Sequence, residues 1–417
     1  MFAALRRVLD RIVLHGSLTL IDADGKRHEF GDSSDPRITV RILKRSAYGK
    51  LASNPGFYLG RLYMDDHLLV EEGSIYDFLA LCLSNIERNP ASGWMEAIGK
   101  LRYPTRWIRR SNSARRTRRN IAHHYDLTSE LYGLFLDADR QYSCAYFETP
   151  DTDLEVAQLA KKRHIAAKLA LGPGQRVLDI GSGWGGFSLY LAAIADIEVV
   201  GLTLSEQQYH YARERARQRG LSDRVTFRLA DYRTIEGRFD RIVSVGMFEH
   251  VGAAHYRAFF EKLRSSLAPD GVALLHSIAR SDGPGVTNAW IAKYIFPGGY
   301  VPALSEVIPV IEKAGLYVND IEILRLHYAK TLRHWRHRFV ANRRRILQLR
   351  DQRFFKMWEF YLAASETAFR YQGMNNFQIQ ITHHQHVLPP VRDYMGKEED
   401  RLRSLESQRP GLSPLAL

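Results

Sequence analysis

Cysteine is scarce in this 417-residue chain, which contains only Cys82 and Cys144. Two thiols form neither a disulfide framework nor the paired-cysteine ligand set of a zinc site, and so few cysteines are typical of the reducing cytosol. The clustered histidines His383, His384 and His386 lack the spacing of a zinc site. We therefore expect a cytoplasmic protein without a metal site.

Long apolar runs and acidic residues are also in short supply. No stretch approaches the roughly 20 uninterrupted apolar residues of a membrane-spanning helix. The opening MFAALRRVLDRIVLHG predicts an amphipathic helix, because it lacks a signal peptide's apolar centre and small-residue cleavage site. With 59 Lys and Arg against 46 Asp and Glu, the formal net charge is +13. Any membrane contact is therefore expected to be peripheral, and the charge favours polyanions, either nucleic acid or anionic lipid.

The first part of the chain predicts a small domain followed by a linker. Residues 17–32 predict a β-hairpin that turns at Asp24 and Gly25, within an α+β domain at residues 1–99. Residues 100–119 contain nine Lys and Arg and no Asp or Glu, which predicts a basic linker. The linker is either a solvated hinge or a patch that gains about 1 kcal/mol per cation beside an anionic bilayer.

From about residue 152, helical and strand-like segments alternate. Such alternation is typical of a parallel sheet covered by helices on both faces, in which ligands bind at the carboxyl ends of the strands. We therefore predict an α/β domain at residues 120–395, followed by a polar tail at residues 396–417.

The segment VLDIGSGWGGFS places Gly181, Gly183 and Gly186 directly after an apolar strand and before a helix. The spacing satisfies G-x-G-x-x-G in its proper context, because glycines let the backbone approach a ligand closely. A tight turn with a purely structural purpose is the alternative. The pattern predicts a cofactor loop.

The residues beyond this loop distinguish between cofactors. A dinucleotide site usually has Asp or Glu at the tip of the second strand, whereas this tip reads GLTLSEQQ, with Thr203 and Gln208 as hydrogen-bonding groups. Asp179 and the pair Asp231 and Tyr232 fit a nucleoside ligand that lacks a pyrophosphate. The pattern resembles the S-adenosylmethionine (SAM) loop of Rossmann-like methyltransferases.

Eight ordered segments carry a more specific signal: NIAHHYDLTSELYGLFLD, QYSCAYFE, VLDIGSGWGGFSLYLA, GLTLSEQQ, VSVGMFEHVG, LLHSIA, YIFPGGYVP and LHYAKTLRHW. Together they resemble the cyclopropane-fatty-acyl-phospholipid synthase family, which is related to the mycolic acid cyclopropane synthases. The resemblance runs from about residue 118 to residue 380, and the N-terminal domain matches the longer, phospholipid-acting bacterial branch more loosely. It implies a Rossmann-like class I SAM methyltransferase domain preceded by a small α+β domain.

The resemblance also implies a reaction. The sulfonium methyl of SAM would be transferred to a cis double bond of a phospholipid acyl chain, and loss of a proton from that methyl would close a cyclopropane ring. Bound bicarbonate would take the proton, since a side-chain carboxylate touching the cation risks being alkylated. In the family, a cysteine, a glutamate, a histidine, an isoleucine and a tyrosine hold the bicarbonate. Motif by motif, the predicted catalytic residues are Cys144, Glu249, His276, Ile278 and Tyr328.

Taken singly, these residues are weak signals. Glu249 follows a strand and could be an ordinary acid at a helix start, and a lone histidine such as His276 is more often a core residue. Together they suggest a relay in which Glu249 accepts the proton or hydrogen bond of bicarbonate, while His276 and Tyr328 orient it.

Cofactor contacts follow from the resemblance in the same way. The predicted set is Tyr142 and Ser143 at the methionine end, Gly181 and Gly183 along the loop, Thr203 and Gln208 at the ribose, and Tyr232 near the adenine, together with Asp179 and Asp231. The mycolate enzymes carry a tryptophan near the position of Tyr232, so the sequence departs from them there.

A carbocation requires an apolar slot that keeps water away from it. Candidate rings, each able to stabilise a cation by about 0.5–2 kcal/mol, are Tyr142, Tyr146, Phe147, Tyr294, Phe296 and Tyr300. Ordinary core packing is the alternative for about half of them.

Cys144 stands among these rings and invites three interpretations: a nucleophile, a metal ligand or a small wall residue. Methyl transfer to an alkene needs no thiolate, and no cation near Cys144 in the sequence would lower its pKa. The resemblance instead places the Cys144 backbone on the bicarbonate. We therefore predict a wall residue.

Two other reactions remain open. The cation could lose a different proton and give a methyl- or methylene-branched chain, or the arginine run could indicate a nucleic-acid methyltransferase. The chain reads GMFEHVG where base methyltransferases commonly carry an Asn/Asp-Pro-Pro-aromatic tetrad or a cysteine, so no nucleic-acid partner is expected. The expected partner is unsaturated phospholipid at the anionic inner face of the membrane, and the family suggests a homodimer.

Overall fold

A computed structural model describes residues 2–89 and 129–409. The predicted linker at residues 100–119 lies outside these residues. The strands are β1 (Ser17–Ile21), β2 (Arg27–Gly31), β3 (Arg37–Ile42), β4 (Leu68–Glu72), β5 (Gln175–Ile180), β6 (Ile197–Thr203), β7 (Val225–Leu229), β8 (Phe239–Val245), β9 (Leu267–Arg280), β10 (Tyr317–Ile323) and β11 (Met374–Thr382).

The helices are α1 (Phe2–Ile12), α2 (Ser46–Ser53), α3 (Pro55–Met64), α4 (Ile75–Arg88), α5 (Ser129–Gly133), α6 (Leu154–Leu169), α7 (Gly186–Ile194), α8 (Glu206–Gln218), α9 (Tyr256–Ser266), α10 (Ala289–Tyr294), α11 (Leu304–Lys313), α12 (His327–Ala341), α13 (Arg343–Leu349), α14 (Gln352–Tyr371) and α15 (Asp393–Gln408). Among the helices described, none combines the length and apolar character needed to cross a membrane.

The described residues fall into two compact units. Of these residues, the first unit draws on 2–89, 286–297 and 332–374, and the second on 129–285, 298–331 and 375–409. The sequence-based division treated residues 120–395 as one domain, whereas two of its segments pack in the first unit. Packing explains the difference, since α14 lies against α3 and α4 and the Tyr63 hydroxyl donates to Glu359 Oε2 at 2.7 Å.

In the first unit, the predicted hairpin is confirmed. Strands β1 and β2 pair antiparallel, with Ile21 opposite Arg27, and the sheet order is β2-β1-β3-β4. A capping box at Ser74 and Asp77 begins α4, because each side chain accepts a hydrogen bond from the other's backbone N–H and satisfies two donors of the first helical turn.

The second unit confirms the predicted α/β fold. Its sheet has the order β10-β11-β9-β8-β5-β6-β7, and β5 pairs parallel with both β6 and β8. One departure is that β10 and β11 pair antiparallel at an edge of the sheet. The alternating pattern that marked the other strands did not predict this pair.

Both faces of the second sheet are covered. Val177 of β5 packs with Ile165 of α6 and Leu189 of α7, whereas its neighbour Leu178 packs on the other face with Phe260 of α9 and Val307 of α11. Successive side chains of a strand point to opposite faces, so a run of consecutive apolar residues is what a doubly covered strand requires. The order places the end of β5 between the ends of β6 and β8.

The predicted polar tail at residues 396–417 is partly wrong. Residues 393–408 form α15, which packs against α6 and buries Leu402 completely. Glu406 is buried as well, where it accepts hydrogen bonds from Arg163 and from the Tyr190 hydroxyl. The α15 segment is polar in sequence but packs in the second unit, because its buried Glu406 carboxylate is hydrogen-bonded.

Candidate functional site

The glycine loop after β5 keeps its backbone open to a ligand. Gly181 has φ of 90°, and a Cβ there would lie 2.8 Å from the Met247 Cβ, so a side chain at this position is excluded by conformation and by space. A Cβ at Gly186, the first residue of α7, would overlap the Asp139 carboxylate. The glycines at both ends of the motif are thus required by close approach of neighbouring atoms.

One cavity of the second unit opens over this loop, where the carboxyl ends of β5, β6 and β8 meet. Its wall contains all of the predicted cofactor-binding residues, namely Tyr142, Ser143, Asp179, Gly181, Gly183, Thr203, Gln208, Asp231 and Tyr232. This is the position at which open α/β sheets bind ligands. The structure therefore brings these residues together, and their individual contacts with a cofactor stay predictions.

Hydrogen bonds organise the polar wall of the cavity. The Thr203 hydroxyl donates to Gln208 Oε1 at 2.8 Å, and Ser188 Oγ donates to Asp179 Oδ2 at 2.7 Å. Burial raises the pKa of Asp179 to about 6, against the opposing effect of the Ser188 bond. Asp231 is engaged by Arg233, whose Nε lies 2.8 Å from Oδ1. Its carboxylate thus already has a cationic partner.

Sequence reasoning missed several residues of the cavity wall. The most informative are Arg140, Lys161 and Trp184. Lys161 lies on α6 and is 1% exposed. It stands in the charged run KKRH of a helical segment, and no feature of the sequence alone marks this lysine as buried.

A second cluster lies where β8 ends beside the last residues of β9, and it contains Glu249, His276 and Ile278. Val245 and His276 are register partners in these parallel strands, and Glu249 follows β8 in a short 3-10 turn. The Ile278 N–H donates to Glu249 Oε1 at 2.6 Å. Three of the five predicted catalytic residues therefore lie together at the carboxyl ends of two interior strands, β8 and β9.

The Glu249 carboxyl is buried and only partly hydrogen-bonded. Burial raises its pKa to about 7, although the Ile278 N–H opposes the shift. Among the described residues, Oε2 has no hydrogen-bond partner. A buried carboxyl near neutrality with an unused oxygen is typical of a group that takes part in proton chemistry.

A chain of hydrogen bonds fixes the ring of His276. Lys168 Nζ donates to Gln378 Oε1 at 2.7 Å, which orients the amide so that Gln378 Nε2 faces His276 Nδ1 at 3.2 Å. Because the amide nitrogen donates, Nδ1 accepts and the ring proton resides on Nε2. Burial lowers the pKa of His276 to about 3, and Nε2 has no partner in the described part of the chain. His276 is thus a neutral donor.

The other two predicted catalytic residues, Cys144 and Tyr328, are held in a second arrangement. The Ala145 N–H donates to Thr331 Oγ1 at 3.0 Å, and the Phe147 N–H donates to His327 Nδ1 at 2.9 Å. These bonds fasten the segment that follows Cys144 to the first two turns of α12, where Tyr328 is buried. Burial raises the pKa of the Cys144 thiol, which argues against a thiolate nucleophile.

Gly246 lies between the cluster that contains His276 and the segment that carries Cys144. Its N–H donates to the His276 carbonyl at 3.0 Å, and a Cβ built on it would lie 3.9 Å from the Ser143 Cβ. The segment that carries Ser143 and Cys144 therefore lies beside the strand that carries His276.

The six aromatic rings predicted to line the apolar slot are divided between the two units. Tyr146 is stacked between His164 and His327, with ring centroids 4.2 and 4.8 Å away. Tyr300 lies beside Glu249, to whose carbonyl its N–H donates at 2.9 Å. Tyr294 and Phe296 pack in the first unit, where Phe296 meets Tyr361 edge-on. Their place around a cation stays a prediction.

Residues 112–379 match the family model described as mycolic acid cyclopropane synthetase. A probable fatty acid methyltransferase of Pseudomonas putida is 36% identical over 373 residues, which cover 88% of this chain and 92% of that protein. The cyclopropane-fatty-acyl-phospholipid synthase of Escherichia coli K12 is 42% identical over 256 residues, or 61% of this chain and 65% of that enzyme.

Solved structures agree with these relatives. The cyclopropane synthase MmaA2 of Mycobacterium tuberculosis superposes with a TM-score of 0.61 at 33% identity, covering 63% of this chain and 97% of that one. The same values hold for the mycolic acid cyclopropane synthase CmaA1 complexed with SAH and CTAB. Coclaurine N-methyltransferase, at 21% identity and a TM-score of 0.63, shares the fold and covers 78% of this chain and 99% of its own.

The burial of Glu249 predicts a stability signature. Its pKa rises from 4.5 to about 7 on folding, so the folded state holds the proton more tightly and stability falls as pH rises through this interval. Glu249→Gln should therefore have a Tm a few degrees above wild type at pH 8, and the gap should narrow toward pH 5. Differential scanning fluorimetry across this range checks it.

Glu261→Gln, an exposed change on α9, is the matched control and should leave the Tm close to that of wild type. A Glu249→Gln protein that is equally destabilised at both pH values would contradict the assignment.

Proposed function

The chain belongs to the mycolic acid cyclopropane synthetase family and is a SAM-dependent methyltransferase, and from this premise we propose that it forms cyclopropane rings on unsaturated acyl chains of membrane phospholipids. The observation that carries the proposal is Glu249, a buried carboxyl with an unused oxygen, placed just beyond a strand that ends at the cavity. An alkene that accepts a methyl group becomes a cation and must lose a proton, so a proton acceptor is needed beside the methyl donor.

The cavity fits SAM, which is the cosubstrate of the reaction. The loop without side chains at Gly181 and Gly183 accepts a close ligand, and hydrogen-bonding groups suited to hydroxyls stand at Thr203 and Gln208. Tyr142 and Ser143 would hold the methionine part, and Tyr232 would lie at the adenine. When bound, SAM supplies an electrophilic methyl group.

The second cluster fits a bicarbonate ion. Glu249 Oε2 and His276 Nε2 are buried polar atoms without partners among the described residues, and such atoms are costly unless a ligand or water satisfies them. His276 would donate through Nε2, Glu249 near neutrality would accept a proton, and the Cys144 backbone, Ile278 and Tyr328 would complete the site. Bicarbonate supplies an exchangeable base.

The protein's own contribution to the cation is to keep water away. Cys144, Ala145 and Phe147 are buried, and Tyr146 is held rigidly between two imidazoles. Excluding water prevents capture of a reactive intermediate. The thiol of Cys144 is then a small wall group with no chemical step of its own.

Docking on the anionic inner face of the membrane is the second part of the proposal. Residues 332–356 of the first unit contain nine Arg and Lys and a single acid, Asp351. Arg333, Arg344 and Arg350 are exposed. Each such cation gains about 1 kcal/mol beside an anionic bilayer. The part of the linker at residues 100–119 in docking, and the homodimer, stay predictions.

A branched product is the alternative that specific observations favour. The Pseudomonas putida relative is named a probable fatty acid methyltransferase, and the tuberculostearic acid methyltransferase UfaA1 of Mycobacterium tuberculosis is 34% identical over 400 residues, or 90% of each chain. The two products differ in which proton leaves the cation. The intact set of five predicted bicarbonate residues supports the ring.

We expect the ring to appear in cells that lack such an activity. Expression of the chain should convert cis-unsaturated phospholipid acyl chains to products that gain one CH2, with the upfield proton signals of cyclopropane in the NMR spectrum of the fatty acid esters. A CH2 gain without those signals would favour a methyl- or methylene-branched product. Activity on tRNA or DNA with none on unsaturated phospholipid vesicles would overturn the proposal.

Substitutions at the proposed bicarbonate site distinguish residues that take part in proton transfer from a residue that only forms the wall. Tyr328→Phe and Glu249→Gln should each lower turnover by about 100-fold in bicarbonate-replete buffer, as expected for loss of proton-transfer groups. Cys144→Ser should keep at least about one tenth of the activity, because a wall residue needs no thiolate. Cys82→Ser is the control. Wild-type rates for the first two variants, or complete loss for Cys144→Ser, would contradict these roles.

Charge reversal tests the docking surface. The double variant Arg344→Glu and Arg350→Glu should bind phosphatidylglycerol vesicles about 30-fold more weakly at low salt, and the difference should shrink at high salt. The matched control is Arg217→Glu with Arg257→Glu, at exposed positions of the second unit. Equal losses for both doubles in a co-sedimentation assay would show a dependence on net charge alone and contradict a local surface.

A further inference from the structure

Lys161 is the buried cation that the reaction leaves unexplained. It lies on α6, is 1% exposed and borders the cavity. Its Nζ donates to Ser143 Oγ at 3.0 Å and to Gln141 Oε1. Both partners are neutral and belong to the segment predicted to hold the methionine end of the cosubstrate.

The neighbouring cations on α6, unlike Lys161, each form an ion pair with an acid. Lys162 pairs with Asp139 at 2.8 Å, and Arg163 and Lys168 each reach a glutamate, Glu406 and Glu322 respectively. Within the described residues, Lys161 forms no ion pair with an acid. A buried cation is costly unless a counter-ion compensates it, so Lys161 is suited to pair with an anionic group of a ligand in the cavity.

Nearby acids help Lys161 to keep its positive charge despite its burial. Burial lowers the pKa of Lys161 to about 8, while Asp137 and Asp139 act in the opposite sense. The two acids lie near enough to favour the ammonium form without forming a salt bridge with it. The charge therefore remains available to a ligand in the cavity.

SAM carries one anionic group, the α-carboxylate of its methionine part. Of the described residues that line the cavity, the Arg and Lys side chains are Arg140, Lys161 and Arg233. Arg233 is paired with Asp231, next to Tyr232, which is predicted to lie near the adenine. Arg140 lies over the rings of Tyr211 and Trp184, at 4.3 and 5.2 Å from their centroids, and donates to Ser129 Oγ.

We propose that Lys161 is the counter-ion of the SAM α-carboxylate and thereby selects SAM over ligands that lack this group. Gln158, three residues earlier on the same face of α6, donates through Nε2 to the Ser143 carbonyl at 3.0 Å. The helix thus fixes the backbone of the methionine-end segment with Gln158 and presents a charge beside it with Lys161. Binding of SAM would give the Lys161 ammonium an anionic partner.

A ligand pair that differs only in the carboxylate tests this directly by isothermal titration calorimetry. Wild type should bind SAM at least about 10-fold more tightly than decarboxylated SAM, and Lys161→Met should weaken SAM binding by about 10- to 100-fold, as for loss of a charged hydrogen bond. The same variant should bind decarboxylated SAM within about 2-fold of wild type, because the remaining contacts are unchanged.

Lys161→Gln serves as the second variant in case Lys161→Met does not fold, and Arg140→Met is the comparison for the other candidate cation. Equal losses of both ligands in the Lys161 variants would show a structural role only. Loss of the discrimination in Arg140→Met instead would assign the carboxylate to Arg140. Wild type that binds both ligands equally would overturn the proposal without any variant.

Discussion

The second unit depends on the pairing of charges along one buried helix. Every residue of α6 from Ala157 to Leu169 is buried, although this stretch includes Lys161, Lys162, Arg163, His164 and Lys168. A buried charge is costly unless it is paired and hydrogen-bonded, and four of these five side chains have an acidic partner, Lys161 being the exception within the described residues. His164 meets this condition between Glu322 and Glu399, each at 2.7 Å, and the carboxylates raise its pKa against the effect of burial. Such pairs fix where neighbouring elements lie more than they add stability.

The same helix reaches both parts of the candidate site. Lys162 holds Asp139 beside the first residue of α7, below the glycine loop. Lys168 orients Gln378, which sets the tautomer of His276. His164 stacks on Tyr146, whose neighbour Phe147 is bound to His327 next to Tyr328. The cavity and the proposed bicarbonate site therefore share one polar framework, so loss of a pair at α6 is expected to disturb both.

Local patterns explain what could be predicted from the sequence. Consecutive apolar residues with intervening helices predicted the parallel strands, and Gly181 and Gly186 marked the loop because nearby atoms leave no room for a side chain. The burial of α6 was not predictable locally, because its partners are remote: Arg163 and Glu406 are separated by 243 residues. For the same reason the sequence predicts a polar tail where α15 packs, and it places α14 with the α/β domain although this helix packs in the first unit. Catalytic roles for Glu249 and His276 came from the resemblance, since neither residue is distinctive alone.

The most direct test of the central claim, that the proton leaves the transferred methyl group itself, uses SAM with a trideuterated methyl. Purified enzyme is incubated with this cosubstrate and vesicles of cis-unsaturated phospholipid, and the product esters are analysed by mass spectrometry and deuterium NMR. Ring formation requires that two of the three deuterons stay and that both appear at the upfield position of a cyclopropane carbon. A product that retains all three deuterons in a methyl branch would contradict the account.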